Sequence, residues 1–66
     1  MTDGLENREV ILEFTPVGNV MRVTAMDTQS LTEIVISGPK SSPQALLKSN
    51  ALKRLEYVLR KKGIIS

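Results

Sequence analysis

The sequence contains no cysteine, no histidine and no tryptophan, and its 66 residues include one phenylalanine and one tyrosine. Without cysteine there is no disulfide, no thiolate ligand for zinc or an iron–sulfur cluster, and no thiol nucleophile. Without histidine the chain lacks the commonest metal ligand and the commonest general base near pH 7. We therefore expect no metal, no cofactor and no small-molecule substrate, and we expect the protein not to be an enzyme.

Long apolar runs are also missing, because the longest are three residues, such as Val10 to Leu12. The first ten residues, MTDGLENREV, are polar and acidic. These features predict neither a signal peptide nor a membrane-spanning helix, and they favour a cytoplasmic protein that does not bind membranes. The formal net charge is +2 and 41% of the residues are hydrophobic, which is ordinary for one small folded domain.

Two periodicities divide the chain. Residues 1–7 show neither of them and are predicted to form a flexible N-terminal tail, followed by one domain over residues 8–66. Alternation of apolar and polar residues predicts three β-strands: Glu9 to Thr15 before Pro16, Val20 to Met26, and Leu31 to Ser37 before Gly38-Pro39. The Gly18-Asn19 pair between the first two strands favours a hairpin with a type II′ turn.

A helical period of 3.6 residues replaces the alternation after Ser41-Ser42-Pro43-Gln44. Either Ser42 caps the helix with Pro43 at its first position, or Ser41 caps it and Gln44 completes a capping box. The helix is predicted to end near Lys62, with Gly63 as a left-handed cap that lets Ile64 fold back onto Leu59.

These elements predict an α+β fold in which a three-stranded antiparallel meander carries one C-terminal helix on one face, a βββα two-layer sandwich. The helix is expected to bury one stripe of aliphatic residues against the alternating apolar positions of the strands. The predicted core consists of Leu47, Ala51, Leu52, Leu55, Val58 and Leu59 on the helix, and of Val10, Leu12, Phe14, Met21, Val23, Ala25, Ile34 and Ile36 on the sheet.

The other face of the sheet has no helix to cover it. Arg22 on the central strand is expected between Glu13 and Glu33, beside apolar side chains and two open sheet edges. An unremarkable half-polar face explains these residues as well as a contact surface does. The contact hypothesis is a protein-interaction module that binds a second copy or an unknown protein partner through the open sheet face or an edge strand. The candidate contact residues are Ile11, Val20, Arg22, Met26, Leu31 and Val35.

The outer surface of the helix is basic, with six positive residues and one acidic residue between Lys48 and Lys62. The simpler interpretation is a solvated face with an i,i+4 pair between Glu56 and Arg60. The alternative is a site for nucleic acid or an acidic partner, although a base-reading sheet is not expected because few aromatic residues are available. The candidate residues of this basic face are Lys53, Arg54, Tyr57, Arg60 and Lys61.

Four segments, EVILEFTPVGN, RVTAMD, TEIVISGP and LKRLEYVLRKKG, cover most of the predicted domain. They resemble a family of small uncharacterised bacterial proteins, a domain of unknown function. The resemblance implies a stand-alone cytoplasmic protein, and it brings no activity, ligand or site residue with it.

Overall fold

The computed structural model describes residues 3–66 and contains three β-strands followed by a long helix. Strand β1 (Val10–Val17) pairs with β2 (Val20–Asp27), and β2 pairs with β3 (Thr32–Pro39), both in antiparallel orientation. The strand order is β1-β2-β3, so the two outer strands each have an open edge. Helix α1 (Gln44–Lys61) packs on one face of the sheet, which confirms the predicted βββα architecture.

The first connection is a two-residue turn at Gly18 and Asn19, as predicted. Gly18 has a φ of +59°, whereas Asn19 is not among the residues with a positive φ. This combination of signs is that of a type II′ turn, in which the first central residue must adopt a conformation that favours glycine. The turn brings Val17 opposite Val20 and thereby sets the register of the hairpin.

Two prolines lie inside the outer strands, so the predicted strand ends before Pro16 and Gly38-Pro39 are wrong. Antiparallel strands direct alternate backbone groups towards the neighbour and away from it. The carbonyl oxygen of Glu9 accepts a hydrogen bond of 3.1 Å from the N–H of Thr28, so the odd-numbered residues of β1 bond to β2. The missing N–H of Pro16 would therefore point out of the sheet, and the same alternation applies to Pro39.

The helix begins at Gln44, and Pro43 is its N-cap in an extended conformation with φ −60° and ψ 138°. No side chain caps this end of the helix, so the caps predicted at Ser41 and Ser42 are both wrong. The physical reason is that Pro43 itself occupies the capping position. Its carbonyl oxygen accepts the first helical hydrogen bonds, from the N–H groups of residues 46 and 47.

The other end of the helix has the predicted glycine cap, and its last helical residue is Lys61, one residue before the predicted end near Lys62. Gly63 has a φ of +77°, and its N–H donates to the carbonyl oxygen of Arg60 at 3.1 Å. The N–H of Ile64 donates to the carbonyl oxygen of Leu59 at 2.9 Å, which completes a Schellman cap. The side chain that packs against the core is that of Ile65, whereas Ile64 is exposed.

Aliphatic side chains of α1 and the inner sheet face form the core, which confirms the predicted set. Gly38 allows a close approach, since a Cβ there would lie 2.6 Å from Cδ2 of Leu47. The helix packs mainly against β2 and β3, so the inner side of β1 receives less cover. The buried members are Val23, Ala25, Ile34, Leu47, Ala51, Leu55 and Leu59; the partly buried ones are Val10, Leu12, Phe14, Met21, Ile36, Leu52 and Val58.

The residues that precede β1 pack against the domain. Leu5 lies in a short 3-10 turn (Asp3–Leu5) and is buried in the core. The N–H of Gly4 donates to Oε2 of Glu56 at 3.1 Å, and a Cβ on Gly4 would lie 2.7 Å from Cδ1 of Ile65. The predicted flexible tail is therefore wrong at Gly4 and Leu5, because one apolar residue without periodicity gives no sequence signal; residues 1 and 2 lie outside the described residues.

A buried ion pair joins this N-terminal segment to the last residue of β2. Nε and Nη2 of Arg8 donate to the two carboxylate oxygens of Asp27 at 3.0 and 2.8 Å. The backbone N–H of Ser30 adds a third hydrogen bond of 3.0 Å. The Arg8 guanidinium, assisted by Ser30, holds the pKa of Asp27 far below its usual range although burial acts in the opposite direction. The side chain of Asp27 has no solvent exposure, so this pairing is what allows a charge to be buried there.

Candidate functional site: the open β1 edge and two alternative surfaces

The apolar contact residues predicted on the uncovered sheet face, except Leu31, fall into two separate groups. Thr15, Arg22 and Ser37 lie side by side across the three strands and form a polar row between the groups. The contact surface predicted from the sequence is therefore divided. The group at the hairpin end consists of Val17, Val20 and Pro39, and the group at the opposite end consists of Ile11, Met26 and Val35.

The register also changes the surroundings of Arg22. This residue lies opposite Thr15 on β1 and Ser37 on β3, so the predicted position between Glu13 and Glu33 is wrong. Because β1 runs through its proline into a two-residue turn, Glu13 is diagonal to Arg22. On β3, Glu33 lies four residues before Ser37, the residue opposite Arg22. Within residues 3–66, neither glutamate forms an ion pair.

Leu31 does not belong to the sheet face, which corrects its predicted place in a strand. β3 begins at Thr32, and Leu31 is the last residue of the preceding loop, with a φ of +60° and an exposure of 71%. Its N–H donates to the carbonyl oxygen of Asp27 at 2.8 Å. The bonds between Asp27 and Ser30 order this loop, and the chain enters β3 only after it.

The basic face of α1 centres on an exposed tyrosine. The Arg54 guanidinium lies 5.4 Å from the centroid of the Tyr57 ring, and Nζ of Lys61 lies 5.8 Å from it. Both distances are within the range of cation–π attraction. Lys53 is exposed on the same outward side of the helix, so four of the five candidate residues form one surface.

Arg60 is engaged elsewhere. Its Nη2 donates to Oε2 of Glu56 at 2.9 Å, and its Nε donates to the carbonyl oxygen of Ser66 at 2.7 Å. The Arg60 guanidinium, together with the N–H of Gly4, lowers the pKa of Glu56. The i,i+4 pair predicted between Glu56 and Arg60 is thus confirmed, and Arg60 belongs to a cluster that holds both ends of the described chain together.

The third surface, the open edge of β1, is one of the two open sheet edges that the sequence predicts. Val10, Leu12 and Phe14 point their side chains to the half-covered inner face, and their backbone N–H and C=O groups point away from β2. A depression of about 300 Å³ lies between this strand and α1. Its lining consists of Leu5, Arg8, Val10, Leu12, Lys48 and Leu52.

The three surfaces expose apolar side chains, positive charges and the backbone groups of a sheet edge. Within residues 3–66, no group of three or more Asp and Glu side chains is arranged to hold a metal ion. In the same part of the chain, every buried side-chain nitrogen and oxygen has a hydrogen-bond partner. No helix among these residues combines the length and the apolar character that crossing a membrane requires.

The model of one protein family, a domain of unknown function (DUF6898), matches residues 7–62. The chain belongs to this family, as the resemblance noted in the sequence implies. No significant match was found among curated proteins or among solved structures.

Proposed function

We propose that this member of the DUF6898 family is a non-enzymatic protein-interaction module whose site is the open edge of β1. The observation that supports the proposal is the off-centre position of α1, which packs mainly on β2 and β3. The apolar row of β1 is left half-covered beside backbone groups without a strand partner. Strand addition uses both features, because main-chain hydrogen bonds supply affinity and pockets for alternate side chains supply specificity.

The opposite edge is less suited to this role. On β3 the inner-face residues Thr32 and Ile34 are already buried, so a strand added there gains little apolar contact. On β1 an added strand would cover Leu12 and Phe14 and would reach the depression beside Leu52. Burial of apolar area is the main favourable contribution to such an association, so β1 is the better edge.

Site-specific photo-crosslinking in the cells of origin tests the proposal. Thr15 and Ser37 are matched positions, because both are exposed and both lie beside Arg22 in the same row. A photoreactive residue at position 15 should give adducts larger than the chain, and the same residue at position 37 should not. Adducts of equal yield from both positions, or none from position 15, would contradict the proposal.

The basic face supports a second candidate function, the binding of nucleic acid. The supporting observation is that Tyr57, 52% exposed, is flanked by Arg54 and Lys61. If these two cations and Lys53 each contact one phosphate of duplex DNA, affinity should fall about 40-fold between 50 and 200 mM salt.

Fluorescence anisotropy with generic DNA and RNA measures this binding. The double variant Arg54→Glu/Lys61→Glu should abolish it, whereas Lys40→Glu/Lys62→Glu, which carries the same change in net charge, should largely retain it. Equal losses in the two variants would show that only net charge matters. No binding at 50 mM salt would remove this candidate. The cytoplasmic location stays a prediction under either function.

A further inference from the structure

We infer that the β1 edge accepts an extended segment with two basic side chains separated by three residues, in the pattern Lys/Arg–apolar–any–apolar–Lys/Arg. The inference rests on the proposed function and specifies the partner for the same site. It follows from three properties of β1: the direction of its free backbone groups, the polarity of its two faces and the charges beside the edge.

The free backbone groups define the length of the site. They belong to the even-numbered residues Val10, Leu12 and Phe14, and Pro16 follows as the next such position without an N–H to offer. An added strand can therefore bond to three consecutive edge positions before the proline. Its side chains opposite Val10 and Leu12 lie on the inner face, beside the apolar row and the depression, and should be apolar.

The charges beside the edge define the other positions. Glu9 and Glu13 are exposed and lie on the outer face, four residues apart, with Ile11 between them. Neither forms an ion pair within residues 3–66, and the positive charge of Arg8 is already paired with Asp27. Partner residues directly opposite the two glutamates are also four apart, so cations there complete two cross-strand pairs.

The same charges argue against a second copy of this chain as the occupant. In the symmetric antiparallel pairing, Leu12 lies opposite Leu12 of the second copy. Glu9 and Glu13 of both copies then form one row of four carboxylates that runs along the two paired strands. Such a row is repulsive, which is also how natural sheets discourage association between edges. A basic segment from a different protein fits the edge better.

The test is an amide chemical-shift titration of the ¹⁵N-labelled protein with blocked seven-residue peptides. The probe is the basic peptide SKVTVKS. The comparison peptides are the neutral SSVTVSS, the acidic SEVTVES and a form of SKVTVKS in which both valines are N-methylated. The basic peptide should shift the amides of Val10, Leu12 and Phe14 and should bind about 2- to 30-fold more tightly than the neutral one, from two cross-strand charge pairs. N-methylation should weaken binding, because the affinity depends on main-chain hydrogen bonds.

The double variant Glu9→Lys/Glu13→Lys should reverse the preference and favour SEVTVES. The control variant Glu33→Lys changes one exposed glutamate on the β3 edge and should leave the preference unchanged. If all peptides bind β1 equally, or none binds while the cross-links from position 15 persist, the pattern is wrong and the proposed function stands. If the β1 amides shift with protein concentration alone, the occupant is a second copy and the inference is overturned.

Discussion

Replacing Asp27 by asparagine removes the negative charge from a side chain that has no solvent exposure. The amide oxygen of the variant still accepts the hydrogen bonds of Ser30, but the Arg8 guanidinium loses its counter-charge at a site where its own side chain is 14% exposed. Removal of one partner of a buried ion pair costs about 3–5 kcal/mol. We expect about 3 kcal/mol here, because the residual exposure of Arg8 lets water compensate part of the loss.

The expected loss is large relative to the total free energy of unfolding of the protein. A domain of 66 residues has a free energy of unfolding of about 3–10 kcal/mol, from about 0.05–0.15 kcal/mol per residue. A loss of about 3 kcal/mol should lower the melting temperature by about 12–24 °C. Urea unfolding followed by far-ultraviolet circular dichroism measures the change, and a variant that is unfolded without urea agrees with the expectation.

Three further variants isolate the interaction: Glu33→Gln, Arg8→Gln and the double variant Arg8→Gln/Asp27→Asn. Glu33→Gln neutralises an exposed carboxylate that has no ion pair among the described residues, and it should change stability by less than about 0.5 kcal/mol. In the double variant Arg8→Gln/Asp27→Asn the cost should be smaller than the sum of the single costs, because the two side chains contact each other. A loss below about 1 kcal/mol for Asp27→Asn would refute the reasoning, since the charge would then need no buried partner.

Four other measurements follow from the structure. Folding lowers the pKa of Asp27, so the ionised carboxylate stabilises the fold at pH values above the pKa of about 3.9 that Asp has in the unfolded chain. The free energy of unfolding should therefore fall as the pH drops below about 4, and Asp27→Asn should make this fall less steep. Leu55→Ala should cost about 2–5 kcal/mol, whereas Leu46→Ala at a half-exposed position of the same helix should stay within about 0.5 kcal/mol; equal effects would contradict the assigned helix face. Leu5→Ala should cost about 2 kcal/mol or more, and a neutral result would show that the N-terminal turn is not part of the core. Leu31→Gly should raise stability by up to about 1 kcal/mol, because glycine adopts the φ of +60° without the strain of a Cβ; a clear loss would mean that the leucine side chain has a role in the fold. Urea unfolding measures each change.

The layers of this fold follow from the sequence because each element carries its own period. Leu47, Ala51, Leu55 and Leu59 repeat every four residues, and only one face of a helix can hold all of them. Gly63 likewise marks the end of the helix by a conformation that other residues adopt at a cost. These signals are local, so one sequence is sufficient to detect them without comparison to related sequences.

The features that were not predicted from the sequence depend on which residues become neighbours in the folded structure. Pro16 ends a strand in the sequence pattern but is harmless at an edge position, and strand order is not a local property. Arg8 and Asp27 are separated by 19 residues and look like two ordinary surface charges. The lateral position of α1 matters most for the candidate site. The helical stripe shows which face is buried, but it does not show that α1 packs on β2 and β3 rather than on β1, with Leu47 in close contact with Gly38.

Gly4 and Ser66 line the same shallow depression, together with Arg60 and Ile65. The two ends of the described chain are therefore neighbours in space, and a short glycine–serine connection from residue 66 to residue 3 would not need to cross the sheet or the helix. New termini opened between Gly18 and Asn19 would fall in an exposed turn. A circular permutant with this connectivity should retain the fold, and it would carry its free ends at the hairpin, leaving the opposite end of the molecule closed.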